Sequence, residues 1–260
     1  MGADTEQAYM FPTSVKEVER LGWEWIDIIL FSGDAFIDHP SSGTAMIARV
    51  LQREGYRVAV IPQPNWQDDL RDFRKLGAPR LFFGVNSGAM DSMVNHYTAA
   101  KRLRSDDAYT PGGQAGHRPD YAVTVYTRIL KRLYPHVPVI IGGIEASLRR
   151  LAHYDYWQDR LFPSVLVDSG ADCLIYGMGE RPVTAVARAI EAGQSLRDIP
   201  QTAYFVQGKP EHLPEGSVLL NSFERVLADS DAFIDNFNIE EKEANRLHAS
   251  TLIEPYGDGY

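Results

Sequence analysis

The chain has 260 residues, of which 44% are hydrophobic and 23% are charged, a composition that indicates a folded protein and excludes wholesale disorder. The net charge of −9 argues against broad nucleic-acid binding. No segment has the pattern of a membrane span or of a signal peptide, so we expect a cytoplasmic protein. The single cysteine, Cys173, excludes an intrachain disulfide and an all-cysteine metal site.

The first part of the chain alternates short apolar strands with amphipathic helices. A capping-box pattern opens the first helix, and glycines end two of the others. In chain order the pattern predicts a helix from Ser14 to about Leu21, a strand at Trp25–Phe31, a helix at Thr44–Glu54, a strand at Tyr56–Ile61, a helix from Asp68 or Asp69 to Gly77, a strand at Arg80–Val85, and a helix carrying Met90, Val94 and Tyr97.

The same alternation continues after a long polar loop at Lys101–Pro119, and a loop of this length in a compact domain is usually functional or mobile. The remaining pattern predicts a helix at Asp120–Tyr134, a strand at Val137–Ile141, a helix from Ala146 to about Gln158, a strand at Ala171–Tyr176, a helix from Pro182 to Gly193, an extra strand at Ala203–Val206, and one or two polar helices between Ser222 and about His248.

Apolar strands separated by helices are typical of a parallel sheet that is covered on both faces. We therefore predict an α/β fold with a doubly wound, mainly parallel, Rossmann-like sheet in the flavodoxin-like strand order 2-1-3-4-5. The regular alternation of apolar strands and amphipathic helices ends near residue 200. We interpret residues 1–200 as the Rossmann-like domain and residues 201–260 as an extra strand and a helical linker.

Each predicted strand runs into a segment rich in glycine and polar residues. Parallel strands direct their carboxyl ends to one edge of the sheet, where open α/β folds bind ligands. The sequence therefore predicts a binding groove at that edge. Its candidate residues are Asp34, Asp38, His39, Ser87, Asp91, Gly142, Gly143, Glu145, Gly177, Gly179 and Glu180.

Most of these residues have an alternative structural interpretation. Asp34, Asp38 and His39 supply groups suited to acid, base or metal-ligand chemistry, but the same residue types terminate turns and cap helices. Glu145 and Glu180 follow glycines, where a carboxylate binds hydroxyls or an amine, or caps the next helix.

Arg149, Arg150 and the aromatic segment 153–157 could grip an anion and stack on a planar ring, or belong to the core. Cys173 lies in a buried strand, which favours a structural thiol over a nucleophile. The standard phosphate-loop, HExxH and GxSxG motifs are absent, so the chain lacks the complete catalytic apparatus of a familiar enzyme class.

Several long and unusual segments carry a family resemblance. They are GDAFIDHPSSG, FFGVNSGAMDSMVNHYTA, DDAYTPGGQAGHRPD, GGIEASLRRLAHYDYW and YGMGERP. Together they resemble the N-terminal region of YgiQ-type radical SAM proteins, called the radical SAM N-terminal domain, over about residues 10–255. The resemblance implies a cobalamin-binding-domain-like Rossmann fold that precedes a radical SAM barrel in the same polypeptide.

In such a protein the barrel would use a CxxxCxxC motif to hold a [4Fe-4S] cluster that cleaves S-adenosylmethionine. The one cysteine of this chain cannot supply those thiolates. We therefore expect the cluster cysteines beyond Tyr260, no catalytic or metal-ligating residue in this chain, and no activity of the chain alone. We therefore interpret the chain as the N-terminal accessory domain of a radical SAM enzyme of unknown substrate. The alternatives are a non-catalytic docking domain and a stand-alone small-molecule or cofactor binding module.

Cobalamin is the cofactor that the resemblance raises for this chain itself. Classical cobalamin domains carry an Asp-x-His-x-x-Gly loop whose histidine ligates cobalt, whereas here Asp38 and His39 are adjacent and three residues separate His39 from Gly43. This departure argues against His39 as a cobalt ligand. We expect no cofactor in this chain, and cobalamin binding remains an alternative because relatives without that histidine exist.

Overall fold

The structure, a computed structural model, describes residues 10–36, 42–197, 199–208 and 213–260. None of the helices in these ranges combines the length and the hydropathy that a membrane-spanning segment requires. The strands are β1 Ile28–Ser32, β2 Val58–Pro62, β3 Phe82–Asn86, β4 Val139–Ile141, β5 His153–Asp155, β6 Arg160–Phe162, β7 Cys173–Ile175, β8 Thr202–Ala203, β9 Val218–Leu219 and β10 Leu252–Ile253.

The described helices lie between and after these strands. They are α1 Val15–Arg20, α2 Gly43–Arg53, α3 Arg71–Arg74, α4 Ser92–His96, α5 Ala122–Leu133, α6 Gly143–Leu148, α7 Val165–Ser169, α8 Glu180–Glu191, α9 Phe223–Ala228 and α10 Ser230–Ala244, with a 3-10 turn at Pro111–Gly113.

The central sheet has six strands in the order β2-β1-β3-β4-β7-β8. The first five are parallel and β8 is antiparallel to β7. The five parallel strands correspond to the five predicted ones, so the doubly wound fold and the order 2-1-3-4-5 are confirmed. The extra strand β8 is shorter than predicted and begins one residue earlier.

The side chains of β1 show why the sheet must be covered on both faces. All five residues of the strand are buried. Ile29 and Phe31 pack on the face covered by α5, and Ile28 and Leu30 pack on the face covered by α2 and α8. Because neighbouring residues of a strand point to opposite faces, an unbroken apolar run buries both sides of the sheet.

One predicted element is wrong. The helix expected from Ala146 to about Gln158 ends at Leu148, and residues 153–162 form the antiparallel hairpin β5–β6, with His153 opposite Phe162. Helical spacing of the aromatic residues suggested a helix, but in the hairpin such residues pair across the strands, as His153 does with Phe162 at a ring-centroid distance of 6.1 Å. The Asp155 carboxylate also accepts a hydrogen bond from the Gln158 amide at 2.8 Å and so stabilises the turn.

Candidate functional site

The parallel ladders place the candidate residues that the structure describes after the carboxyl ends of their strands, at one edge of the sheet. Asp34 follows β1; Ser87 and Asp91 follow β3; Gly142, Gly143 and Glu145 follow β4; and Gly177, Gly179 and Glu180 follow β7. Asp38 and His39 lie outside the described residues.

Two glycines allow the segments after β1 and β3 to lie against each other. A Cβ atom on Gly33 would lie 2.1 Å from the Ser87 carbonyl oxygen, and one on Gly88 would lie 2.0 Å from Asp34 Oδ1. Gly88 also has a positive φ of 99°. Neither position accommodates a side chain, because such distances are far below van der Waals contact. The crevice between β1 and β3 is therefore closed by backbone and by the Asp34 carboxylate.

Arg118, from the long loop 101–119, completes this closure. Its Nη2 donates to Asp34 Oδ1 at 2.8 Å, its Nη1 donates to the Ser87 carbonyl oxygen at 2.6 Å, and Asp107 lies at 3.5 Å. Asp34 also accepts the Ala89 amide at 2.7 Å. Burial raises the pKa of the Asp34 carboxyl, and the opposing effect of Arg118 is smaller. Asp34 thus anchors the long loop to the sheet.

A second buried network centres on Glu145. Its carboxylate accepts the Val123 amide at 2.9 Å and the Ser92 amide at 2.8 Å, and the Ser92 hydroxyl also donates to it. The Ser92 hydroxyl oxygen in turn accepts the Ala122 amide at 3.1 Å. Because Tyr121 provides no side-chain cap, Glu145 and Ser92 together satisfy the first amides of α5. Burial, and secondarily the charge of Asp91, raise the pKa of Glu145.

Asp91 and Arg149 extend that network. Asp91 caps α4 by accepting the amides of Met93 at 2.9 Å and Val94 at 3.2 Å, and its other oxygen accepts from Arg149. Arg149 is buried, and its guanidinium forms an ion pair with Asp91 of the same chain. Arg150 pairs with Glu240 of α10. Both arginines are therefore engaged within the described structure.

A glycine-lined groove of about 250 Å³ lies on the α2 and α8 side of this edge. Leu30, Phe82 and Ile140 form its floor, and α2 contributes Met46 and Ile47. The rim consists of the residues that follow β4 and β7, namely Gly142, Gly143, Gly177, Met178, Gly179 and Glu180. The groove is therefore apolar inside and has few polar groups at its mouth.

The sequence prediction missed the partners of the candidate carboxylates. Arg118 and Asp107 were visible only as charged residues of a long loop, and Ser92 as one more polar residue after β3. The chief signal was the length and charge of the segment 101–119, which indicates a loop that covers something. Cys173 is fully buried in β7, and burial raises its thiol pKa to about 12.

A model of the radical SAM N-terminal family matches residues 10–260. The chain is 58% identical over 251 residues to a UPF0313 protein of Porphyromonas gingivalis, an alignment that covers 95% of this chain and 40% of that protein. It is 55% identical to a UPF0313 protein of Bacteroides thetaiotaomicron, covering 94% and 42% respectively. The chain thus spans about two-fifths of the length of these relatives.

One similar solved structure is the radical S-adenosylmethionine methyltransferase TsrM from Kitasatospora setae with cobalamin and a [4Fe-4S] cluster bound. Its TM-score is 0.45 at 18% identity, and the alignment covers 68% of this chain and 26% of that one. At this level the likeness extends to the general fold and carries no information on function.

Proposed function

The chain belongs to the radical SAM N-terminal family, and we propose that it is the non-catalytic accessory domain of a radical SAM iron–sulfur enzyme. The catalytic barrel, with its [4Fe-4S] cluster and S-adenosylmethionine, would lie in the polypeptide beyond residue 260. One observation carries this proposal. The strand-end carboxylates Asp34, Asp91 and Glu145 are buried and already bonded to arginines, amides or a hydroxyl, so they hold loops and helices in place.

The number and burial of the thiols in this chain agree with a [4Fe-4S] cluster that is held by another part of the polypeptide. A site-differentiated [4Fe-4S] cluster needs several thiolates arranged around one cube. This sequence has one cysteine, and burial keeps Cys173 in the thiol form at neutral pH. The relatives have more than twice the length that this chain covers, which leaves room for a barrel.

We further propose that the glycine-lined groove receives an apolar part of that barrel. Met178, at the groove rim, is 72% exposed, and Met46 is about half exposed. Exposed apolar side chains beside a groove are typical of a docking surface, and methionine adapts well to a partner. The occupant proposed is the remainder of the same polypeptide, because the curated relatives carry this region within a longer single chain.

The groove fits cobalamin poorly. The nucleotide tail of that cofactor consists of a bicyclic ring, a ribose and a phosphate, whereas sites for ligands of that size usually measure about 300–1,000 Å³. The groove measures about 250 Å³, and Leu30, Phe82 and Ile140 close its floor. The groove lining also contains no arginine, lysine or histidine among the described residues to meet a phosphate. The proposal therefore assigns no tightly bound cobalamin to this domain.

The residue division and the cellular setting belong to the same proposal. Residues 1–200 would form the Rossmann-like domain, and residues 201–260 an extra strand and a helical extension towards the barrel. The pairs Arg150–Glu240 and Ala152–Glu254 support a close attachment of that extension.

The net charge of −9 supports a domain without broad nucleic-acid binding. A cytoplasmic location is proposed as the setting of the same accessory role.

Anaerobic reconstitution with iron and sulfide tests the accessory role. The full-length polypeptide should take up a [4Fe-4S] cluster and cleave S-adenosylmethionine, and the chain 1–260 should retain no iron after desalting. Stoichiometric iron on the chain 1–260 with a charge-transfer band that survives desalting would contradict the proposal.

Hydrogen exchange of the full-length polypeptide against the chain 1–260 tests the docking surface. Amides of residues 43–53 and 176–191 should exchange more slowly in the full-length protein, and those of α5 should be unchanged. Met178→Asp should abolish the difference. Leu247→Asp is the matched control, because Leu247 is 94% exposed and is not a groove residue. Equal exchange in both polypeptides would exclude the barrel as the occupant and leave a small-molecule site as the alternative.

A further inference from the structure

A second cavity, of about 400 Å³, lies on the opposite face of the sheet from the glycine-lined groove. The long loop 101–119, the end of α4 and the segment after β2 form its walls. Trp66 and Val125 line it and also pack against the core on the α5 side. We name it the loop-lined cavity. Its volume lies within the range of about 300–1,000 Å³ that is typical of small-molecule sites.

His96 lines this cavity, and one nitrogen of its buried ring has no hydrogen-bond partner among the described residues. Its Nδ1 lies 2.7 Å from Asp120 Oδ1, and the Tyr97 hydroxyl donates to Asp120 Oδ2 at 2.8 Å. The hydrogen bond from His96 is the main cause that lowers the pKa of Asp120, so the carboxylate stays ionised and only accepts. In the neutral ring Nδ1 then carries the proton and Nε2 is an acceptor.

His96 is 94% buried, yet no described residue bonds its Nε2. The neighbouring Asn95 side chain is also buried and lines the same cavity, and its Nδ2 has no hydrogen-bond partner among the described residues. Buried polar atoms usually have a partner, because leaving one unpaired costs free energy of desolvation. A ligand that supplies a donor to His96 and an acceptor to Asn95 would satisfy both.

Arg104 supplies the charge. Of the two arginines in the wall, Arg118 is bonded to Asp34 and Ser87. No described residue forms an ion pair with the Arg104 guanidinium, which is exposed at the mouth of the cavity. Asp120 is occupied by His96 and Tyr97, and Asp106 is exposed, so its charge is screened by solvent. One available guanidinium suits a single carboxylate, to which it donates two parallel hydrogen bonds.

We propose that the loop-lined cavity binds a small planar carboxylate that also carries a hydroxyl or N–H donor. The carboxylate pairs with Arg104, the planar body lies against Trp66, Leu103 and Pro119, and the donor reaches His96 Nε2. Asp120 fixes the His96 tautomer and is a positioning residue. The inference is independent of the proposed docking of the glycine-lined groove, since the two sites lie on opposite faces.

Titration of the chain with 4-hydroxybenzoate, followed by calorimetry, tests this site. This probe has the carboxylate, the planar ring and a hydroxyl donor; benzoate lacks the donor and 4-hydroxybenzamide lacks the charge. We expect saturable binding of 4-hydroxybenzoate with one site per chain. Binding should be severalfold weaker for benzoate and at least tenfold weaker for 4-hydroxybenzamide.

Two arginine variants of the same loop separate this site from general charge attraction. Arg104→Gln should weaken 4-hydroxybenzoate binding at least tenfold. Arg102→Gln, a matched exposed arginine that does not line the cavity, should change it less than twofold. The His96 ring ¹⁵N resonances should also shift with 4-hydroxybenzoate and not with benzoate. No saturable binding up to about 10 mM, or equal losses in the two variants, would overturn the proposal.

Discussion

Arg118 Nη2 lies 2.8 Å from Asp34 Oδ1 inside the crevice between the ends of β1 and β3. This crevice is the topological switch point, where doubly wound sheets generally bind their ligands. Here the protein fills it with a buried ion pair between a strand end and the loop 101–119. Among the described residues, the glycine-lined groove and the loop-lined cavity lie to either side of this filled crevice.

Removal of Arg118 should destabilise the domain strongly. In Arg118→Met the carboxylates of Asp34 and Asp107 lose their common partner while they stay buried. Breaking a buried pair in this way costs about 3–5 kcal/mol. We expect that loss in the free energy of unfolding measured by urea denaturation. Arg102→Met, on the exposed part of the same loop, should change the free energy of unfolding by less than about 0.5 kcal/mol. Equal changes in the two variants would contradict a stabilising role of the buried pair.

The protonation equilibrium of the Glu254 carboxyl should make the free energy of unfolding fall as pH rises. Burial raises its pKa to about 7, against the smaller opposing effect of the Ala152 amide, whereas the ordinary value is 4.5. Between pH 4.5 and 7 the folded state keeps a proton that the unfolded state releases, so increasing pH favours unfolding. The loss across this window is at most about 3 kcal/mol.

The variant Glu254→Gln isolates that contribution, because the amide oxygen still accepts from Ala152 but does not titrate. Urea denaturation between about pH 4.5 and 8 should show that the variant lacks this part of the pH dependence. Glu19→Gln, at an exposed site, is the control and should follow the unmodified chain. Parallel pH profiles of the unmodified chain and Glu254→Gln would contradict the prediction.

Cys173 should not react with thiol reagents in the folded protein. Its side chain is fully buried in β7 and burial raises its pKa to about 12, so both access and thiolate formation are prevented. Labelling with a chromogenic disulfide should be complete in denaturant and negligible without it. A Ser105→Cys variant supplies an exposed thiol for comparison, and rapid native labelling of Cys173 itself would show that β7 opens easily.

Hydroxocobalamin should produce no saturable spectral change when it is titrated into the purified domain. The reason is the small volume of the glycine-lined groove and its closed apolar floor. Gly179→Leu provides the control, because a Cβ atom at this position already lies 3.2 Å from Ile47 Cδ1, and a larger side chain fills the groove. A spectral shift with micromolar affinity that Gly179→Leu abolishes would establish the groove as a cobalamin site.

The sequence by itself determined the sheet. Continuous apolar runs such as Ile28–Phe31 predict strands buried on both faces, and parallel strands must be joined by crossover helices. These local patterns and general rules of connection were sufficient for the order of the five parallel strands. They also placed the glycines and carboxylates after the strands at one edge, because every strand of a parallel sheet has the same direction.

Only the tertiary structure decided what those polar residues contact. Asp34 meets Arg118 across 84 positions of the chain, and Glu145 meets Ser92 across 53. No local pattern encodes such pairs, since they depend on how the loop 101–119 and the helices α4–α6 pack together. The hairpin at residues 153–162 has the same cause, because its residues suit either a helix or a strand. Periodicity depends on residues that are close in the sequence. The partner of a buried charge depends on the whole fold, because a buried charge without a partner costs free energy.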